Sequence, residues 1–246
     1  NKINVFPVPD GDTGTNLLFT LKPVLNIQDS ISNDVSKVLT QISDVAIDSA
    51  RGNSGTIMAQ YFIGMAEKSS NIIEINNKNI FDLLDGAYNA AKQSMAEPKE
   101  GTIITVMRDI AIESKNHIDS NDIENTFKAI YEVSIKSLNN TPEQMQILKD
   151  AGVVDAGAQG FVDLIEGLYH YIKTGENVNP ESIEAHETDS ADINIENYDD
   201  SNYQFCTECI VEGDSISRRD MKETLSSMGD SFILAGTKNK VKLQNS

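Results

Sequence analysis

The densest run of chemistry-bearing residues is Asn4-Val5-Phe6-Pro7-Val8-Pro9-Asp10-Gly11-Asp12-Thr13-Gly14-Thr15-Asn16, which leads straight into an apolar helical stripe. Pro7 and Pro9 stiffen the approach, Gly11 and Gly14 permit a tight turn, and Asp10 and Asp12 stand two residues apart. In an extended turn that spacing aims both carboxylates at one hard cation. Mg²⁺ takes one or two carboxylates and completes its octahedron with water and phosphate oxygens, which suits the pair. The competing reading makes Asp12 a helix N-cap and Asp10 a turn residue. Three other motifs fail. An EF-hand would need an oxygen ligand, Gly and Glu where Gly14, Thr15 and Leu21 stand. A Walker A loop needs a Gly-Lys pair, which the chain lacks. A phosphatase-type Asp-x-Asp-Gly-Thr would reverse the order Thr13-Gly14.

A second run, Ala50-Arg51-Gly52-Asn53-Ser54-Gly55-Thr56, lies between two helical stripes. Small residues opening a helix expose backbone N–H groups at the positive end of its dipole, and the Ser54 and Thr56 hydroxyls add donors, so the turn suits a phosphate. The plainer reading is a helix–helix turn capped by Asn53. Gly101-Thr102 and Asp155-Ala156-Gly157-Ala158-Gln159-Gly160 are two further small-residue helix starts. Four such turns can gather at one end of a helix bundle, where a nucleotide would meet several helix N-termini together.

The elements that must position these turns are helices. Across 13–171 apolar residues recur at helical spacing, for example Leu17, Leu18, Leu21; Ile57, Tyr61, Met65; Ile80, Leu83, Leu84, Ala87; and Val162, Ile165, Tyr169, Ile172. The pattern predicts about eight helices by this periodicity rule, with Thr141 capping the Thr141-Pro142-Glu143-Gln144 start and Gly175 closing the last one. Residues 176–200 read as an acidic linker: from Gly175 to Asp200 there are nine Asp or Glu and no Lys or Arg. The grammar then changes. Strands are predicted over 203–211, 232–235 and 241–243, with Met221, Leu225 and Met228 on one face of a short helix. The expected architecture is a mainly α nucleotide-binding domain over 1–175, a helical bundle, followed by the start of a small α/β unit over 201–246, with too few elements to cover both faces of its sheet.

The net charge of −18 argues against nucleic acid or an anionic membrane as partner, and implies that a polyanionic ligand arrives with a cation. No apolar run is long enough to span a bilayer, so no membrane insertion is expected. Two cysteines make no disulfide framework and no export segment opens the chain, so a cytoplasmic protein is expected. The first residue is Asn rather than Met, so the sequence reads as a fragment.

Four separated motifs, residues 4–16, Ala50-Arg51-Gly52-Asn53-Ser54-Gly55, Glu100-Gly101-Thr102-Ile103 and Ala151-Gly152-Val153-Val154-Asp155-Ala156-Gly157, resemble in order those of the bacterial fatty acid kinase ATP-binding subunit. The N-terminal domain of that family is similar to the nucleotide-binding L subunit of dihydroxyacetone kinase, an α-helical barrel. The resemblance covers about the first 175 residues. It implies that Asp10 and Asp12 hold Mg²⁺ at the catalytic centre, with Asn4 where the dihydroxyacetone kinase branch carries another Asp. Thr13, Thr15 and Asn16, with Asn53, Ser54 and Gly55, would contact the phosphates of ATP; Gly101-Thr102 and the turn Asp155, Ala156 and Gly157 would enclose the rest. The implied reaction moves the γ-phosphate of ATP to a fatty acid carboxylate held by a separate lipid-binding protein, giving an acyl phosphate for phospholipid synthesis. A homodimer is left open.

A carboxylate nucleophile is already ionised at neutral pH, so no general base is needed, and His117, His170 and His186 lie outside the motifs. Arg108 is an additional phosphate candidate or an exposed helical Arg. Cys206 corresponds to a cysteine that in the related middle domain pairs with a downstream His-x-His, whereas here Gln244-Asn245-Ser246 follows Leu243, so zinc is not expected. The sequence stops at Ser246, before the region that in that family engages the lipid-carrying partner, so the fragment alone is expected to bind ATP without turnover. The rivals are a dihydroxyacetone-type phosphotransferase and a nucleotide-sensing module without turnover.

Overall fold

A computed structural model describes residues 2–7, 9–30, 32–177, 207–229 and 231–245, with the backbone alone at 28–30. The helical part runs α1 Thr13–Leu21, a 3-10 segment Lys22–Ser30, α2 Val35–Ser49, α3 Gly52–Lys68, α4 Asn77–Ser94, α5 Ile103–Lys115, α6 Ile123–Asn139, two short helices α7 Thr141–Gln144 and α8 Gln146–Ala151, and α9 Ala156–Thr174. The protein is mainly α, as its periodicity predicts. Local chemistry sets many of the ends. Asp34 accepts from the Ser36 and Lys37 N–H groups at the start of α2, Asn76 and Asn79 form a reciprocal capping box on α4, and Gly175 closes α9 in the left-handed conformation. At 141 the prediction fails: the N-cap is Asn140, and Thr141 instead donates to the Leu138 carbonyl and accepts from the Asp155 N–H.

The apolar stripes meet in one core. Ile57, Met58 and Tyr61 of α3, Ile80 and Leu84 of α4, Met107 and Ile110 of α5, Phe127 and Ile130 of α6 and Phe161 and Ile165 of α9 share it. Packing runs from α3 to α4, α5, α6, α9, α1 and back to α3, so the helices close a ring. Each such side chain contributes roughly 1.5–3 kcal/mol when fully buried, so tertiary burial outweighs the tenths of a kcal/mol by which helix propensities differ. Gly64 brings α3 against α4: a Cβ there would lie 2.6 Å from the Ala90 Cβ and 2.7 Å from the Gly86 carbonyl.

After the acidic stretch come β1 Thr207–Glu212, α10 Arg218–Leu225, β2 Phe232–Gly236 and β3 Lys240–Asn245. The sheet is antiparallel in the order β1-β3-β2, with Cys209 opposite Leu243 and Leu234 opposite Leu243. Both β2 and β3 are buried on both faces, contrary to the expectation of too few covering elements, because the helical part supplies one of the covers. Phe232, Leu234, Val241 and Leu243 pack with Ile216, Met221 and Leu225, while Ala235 joins Ala46, Ile47, Ala50, Ala59 and Ile63. Hydrogen bonds cross the same seam: the Gly236 N–H donates to Gln60 Oε1 at 2.7 Å, the Ala96 N–H to the Phe232 carbonyl at 3.0 Å, and Lys222 Nζ to the Gln93 and Met95 carbonyls. Strand β1 is exposed along its length.

Candidate functional site

Asp12 occupies the N-cap position of α1, yet its carboxylate makes no capping hydrogen bond. The plainer reading of Asp12 as a cap therefore fails, and its side chain is exposed beside Asp10. One oxygen of Asp10 accepts from Asn4 Nδ2 at 2.7 Å and, longer, from the Asp12 N–H at 3.4 Å. Partial burial and then the neighbouring Asp12 carboxylate push the Asp10 carboxyl above its ordinary value. Asn4 is 5% exposed, and its Oδ1 is buried with no donor against it. Two carboxylates crowded together and an orphaned amide oxygen form an all-oxygen donor set short of positive charge, which fits a hard divalent cation. No group of three or more His, Cys, Asp or Glu that could hold a metal occurs among the described residues, so Mg²⁺ here would take its remaining ligands from phosphate and water.

The start of α3 abuts the start of α1. Gly52 has φ of +57°, and a Cβ there would run into the Asn16 side-chain amide. A Cβ on Gly55 would run into Thr20, whose hydroxyl donates to the Asn16 carbonyl at 2.8 Å and accepts from the Arg51 N–H at 3.1 Å. The N-cap of α3 is Arg51 without a side-chain capping bond, so Asn53 is not the cap. Asn53 instead donates to Ser231 Oγ at 3.0 Å and keeps a buried Oδ1 without a donor. Of the α1 residues, Thr13 is buried, Asn16 half-buried and Thr15 exposed.

Asp155 joins two more helix starts. Its Oδ2 accepts from the Ala158 N–H of α9 at 2.8 Å and from the Ile103 N–H of α5 at 3.0 Å, and the side chain is buried. Burial pushes its carboxyl up to about 6 against the opposing pull of those two N–H groups. A Cβ on Gly157 would lie 3.3 Å from both Asp155 Oδ2 and Ser54 Oγ, so the missing side chain lets α9 approach α3. Gly101 and Thr102 lie on the other flank of Ile103. They are buried, Gly101 against residues 141–145, and their polar groups turn inward: the Gly101 N–H donates to Thr105 Oγ1 and the Thr102 hydroxyl to the Lys99 carbonyl. They set where α5 begins.

Arg108 spends its guanidinium on Glu100 at 2.6 Å and on Asp109 at 3.0 and 3.1 Å. Burial opposes ionisation of Glu100, but hydrogen bonds from Thr105 and Arg108 hold its carboxyl below the ordinary value. His117 pairs with Glu113 near the end of α5, away from the turns. Cys206 and His186 lie outside the described residues. No described helix is long and apolar enough to cross a membrane.

Sequence comparison places this arrangement in a lineage. A model for the DAK2 domain matches residues 7–170, which include every turn described above except the Asn4 start, and a model for the FakA-like middle domain of fatty acid kinase matches residues 202–243. The chain belongs to the DAK2-domain family. Protein YloV of Bacillus subtilis is 32% identical across 98% of this chain, and uncharacterized proteins of Staphylococcus epidermidis and Staphylococcus aureus are 30% and 31% identical across 99% of it. The chain spans 46% of the length of each of these relatives. Within this family, the contacts that sequence reasoning missed are those from the second unit to the start of α3, made by Glu208, Ser231 and Lys242. The sequence carries no signal for them: Lys242, alternating with Val241 and Leu243, reads as the solvent face of a strand, and only the fold buries it.

Proposed function

We propose that the chain is the Mg·ATP-binding part of a kinase that transfers the γ-phosphate of ATP to a fatty acid carboxylate presented by a separate lipid-binding protein. The observation that carries this reading is the convergence of the starts of α1, α3, α5 and α9 beside the Asp10–Asp12 pair. Helix starts turn a positive dipole end toward phosphate oxygens, along with those N–H groups that no side chain has taken, as Asp155 takes Ile103 and Ala158 and Glu208 takes Gly52. In this reading Asp10 and Asp12, with Asn4 orienting Asp10, hold the metal. Thr13, Thr15, Asn16, Asn53, Ser54 and Gly55 take the phosphates. Gly101, Thr102, Asp155, Ala156 and Gly157 act from behind by fixing the α5 and α9 starts. A bound Mg²⁺ would supply charge neutralisation on the phosphates.

The residues at these turns offer no His or Lys as a base, which matches a nucleophile that is ionised before it arrives. Rate would then come from positioning and charge stabilisation. The middle-domain match favours a fatty acid over a small ketose as acceptor. The test is ATP consumption by the chain extended to the full length of the relatives it matches, supplied in turn with an acyl-loaded lipid-binding protein and with dihydroxyacetone. Turnover dependent on the acyl-loaded partner, with acyl phosphate trapped as the hydroxamate, is expected. Turnover with dihydroxyacetone alone, or with neither, would refute the proposal.

A further inference from the structure

The start of α3 already holds an anion, and it comes from the second unit. Glu208 on β1 accepts from the Gly52 N–H at 2.8 Å through Oε1, while its Oε2 lies 3.8 Å from Arg51 Nη1 and 3.4 Å from Lys242 Nζ. Lys242 is buried, its side chain 4% exposed, and its ammonium also donates to the Ala50 carbonyl at the end of α2. One backbone N–H at a helix start, one guanidinium and one buried ammonium are the donors that a phosphate oxygen would take. A buried ammonium is costly without an anionic partner, so this position stays filled by one negative group or another. Next to it Asn53, bound to Ser231 of the same unit, keeps its orphaned oxygen.

We propose that Arg51, the Gly52 N–H and Lys242 form a phosphate subsite shared by the helical and small α/β units, and that Glu208 is its internal occupant, displaced when nucleotide binds. The idea rests on the reading of the α3 start as a phosphate contact. Its consequence is competition: the Glu208 carboxylate and a nucleotide phosphate exclude each other, so nucleotide occupancy loosens β1 from α3 while Lys242 remains to hold the phosphate.

The test is titration of Mg·ATP into the full chain, its Glu208→Gln variant and a Glu208→Gln/Lys242→Met double variant, with thermal melting of each. Glu208→Gln should melt lower without ligand, because Lys242 loses its counter-charge, yet should bind Mg·ATP at least about fivefold more tightly, the lower end of usual coupling between linked events. The double variant should lose that gain. If Glu208 were only a structural clamp, Glu208→Gln would lower the melting temperature and leave affinity equal or weaker, and that result would overturn the proposal. Absence of Mg·ATP binding by every protein would bring down the nucleotide-site reading and this proposal with it. Equal binding by all three would overturn the proposal alone.

Discussion

Asp155 is where stability and site geometry are most tightly joined. Asp155→Ala leaves the Ile103 and Ala158 N–H groups buried without acceptors. At about 1–3 kcal/mol for each unsatisfied buried donor, the variant should lose roughly 2–6 kcal/mol. Asp155→Asn retains an acceptor oxygen and should lose less. The pH dependence separates the carboxyl's charge from its geometry. Its value is raised to about 6 from an ordinary 3.8, so between those values the folded state keeps a proton that the unfolded chain has released. Its contribution to stability is therefore complete below the lower value and is lost as pH rises through about 6. Going from pH 7 to pH 5, wild type should gain about 1 kcal/mol relative to Asp155→Asn, the direction opposite to that of a salt-bridged carboxylate. Urea unfolding of both proteins at the two pH values measures this difference. A gap that stays constant, or that shrinks toward acid, would refute the account of Asp155 as a carboxyl whose burial outweighs its two N–H bonds.

Two further predictions concern the Asp10–Asp12 pair and the helix ring. Asp12→Ala should abolish stabilisation by Mg·ATP while changing the stability of the free protein by no more than about 0.5 kcal/mol, because the exposed carboxylate caps nothing and crowds Asp10; loss of cooperative melting would instead make Asp12 structural. Gly64→Ala should cost about 1–3 kcal/mol despite the better helix propensity of Ala, since the new methyl meets α4 backbone at Gly86 and Ala87, and an unchanged melting temperature would contradict that close packing.

Much of the helical part was legible because its apolar residues face one core. The stripe Ile57, Tyr61 of α3 and the stripe Val162, Ile165 of α9 are periodic in the sequence for the same reason that they are buried. The turns 10–16, 52–55 and 155–157 were legible as small-residue helix starts, and the missing side chains of Gly52, Gly55 and Gly157 are what allow the helices to meet there. What stayed hidden depends on partners far along the chain. Thr141 reads locally as a cap, but its hydroxyl is taken by Leu138 and by Asp155. The sheet reads as half-covered because nothing local says that Ala46, Ile47 and Ala59 lie over Ala235. Glu208 looks like an ordinary strand charge, and only the fold brings it to Gly52, 156 positions earlier.

The central claim is that the gathered helix starts and the Asp10–Asp12 pair make one nucleotide site that needs a divalent cation. Titration calorimetry of the protein with ATP, once in excess Mg²⁺ and once in EDTA, tests it most directly. Two carboxylates facing a triphosphate repel it unless a cation lies between them, so saturable binding is predicted with Mg²⁺ and none in EDTA. Equal affinity in the two buffers would contradict the account.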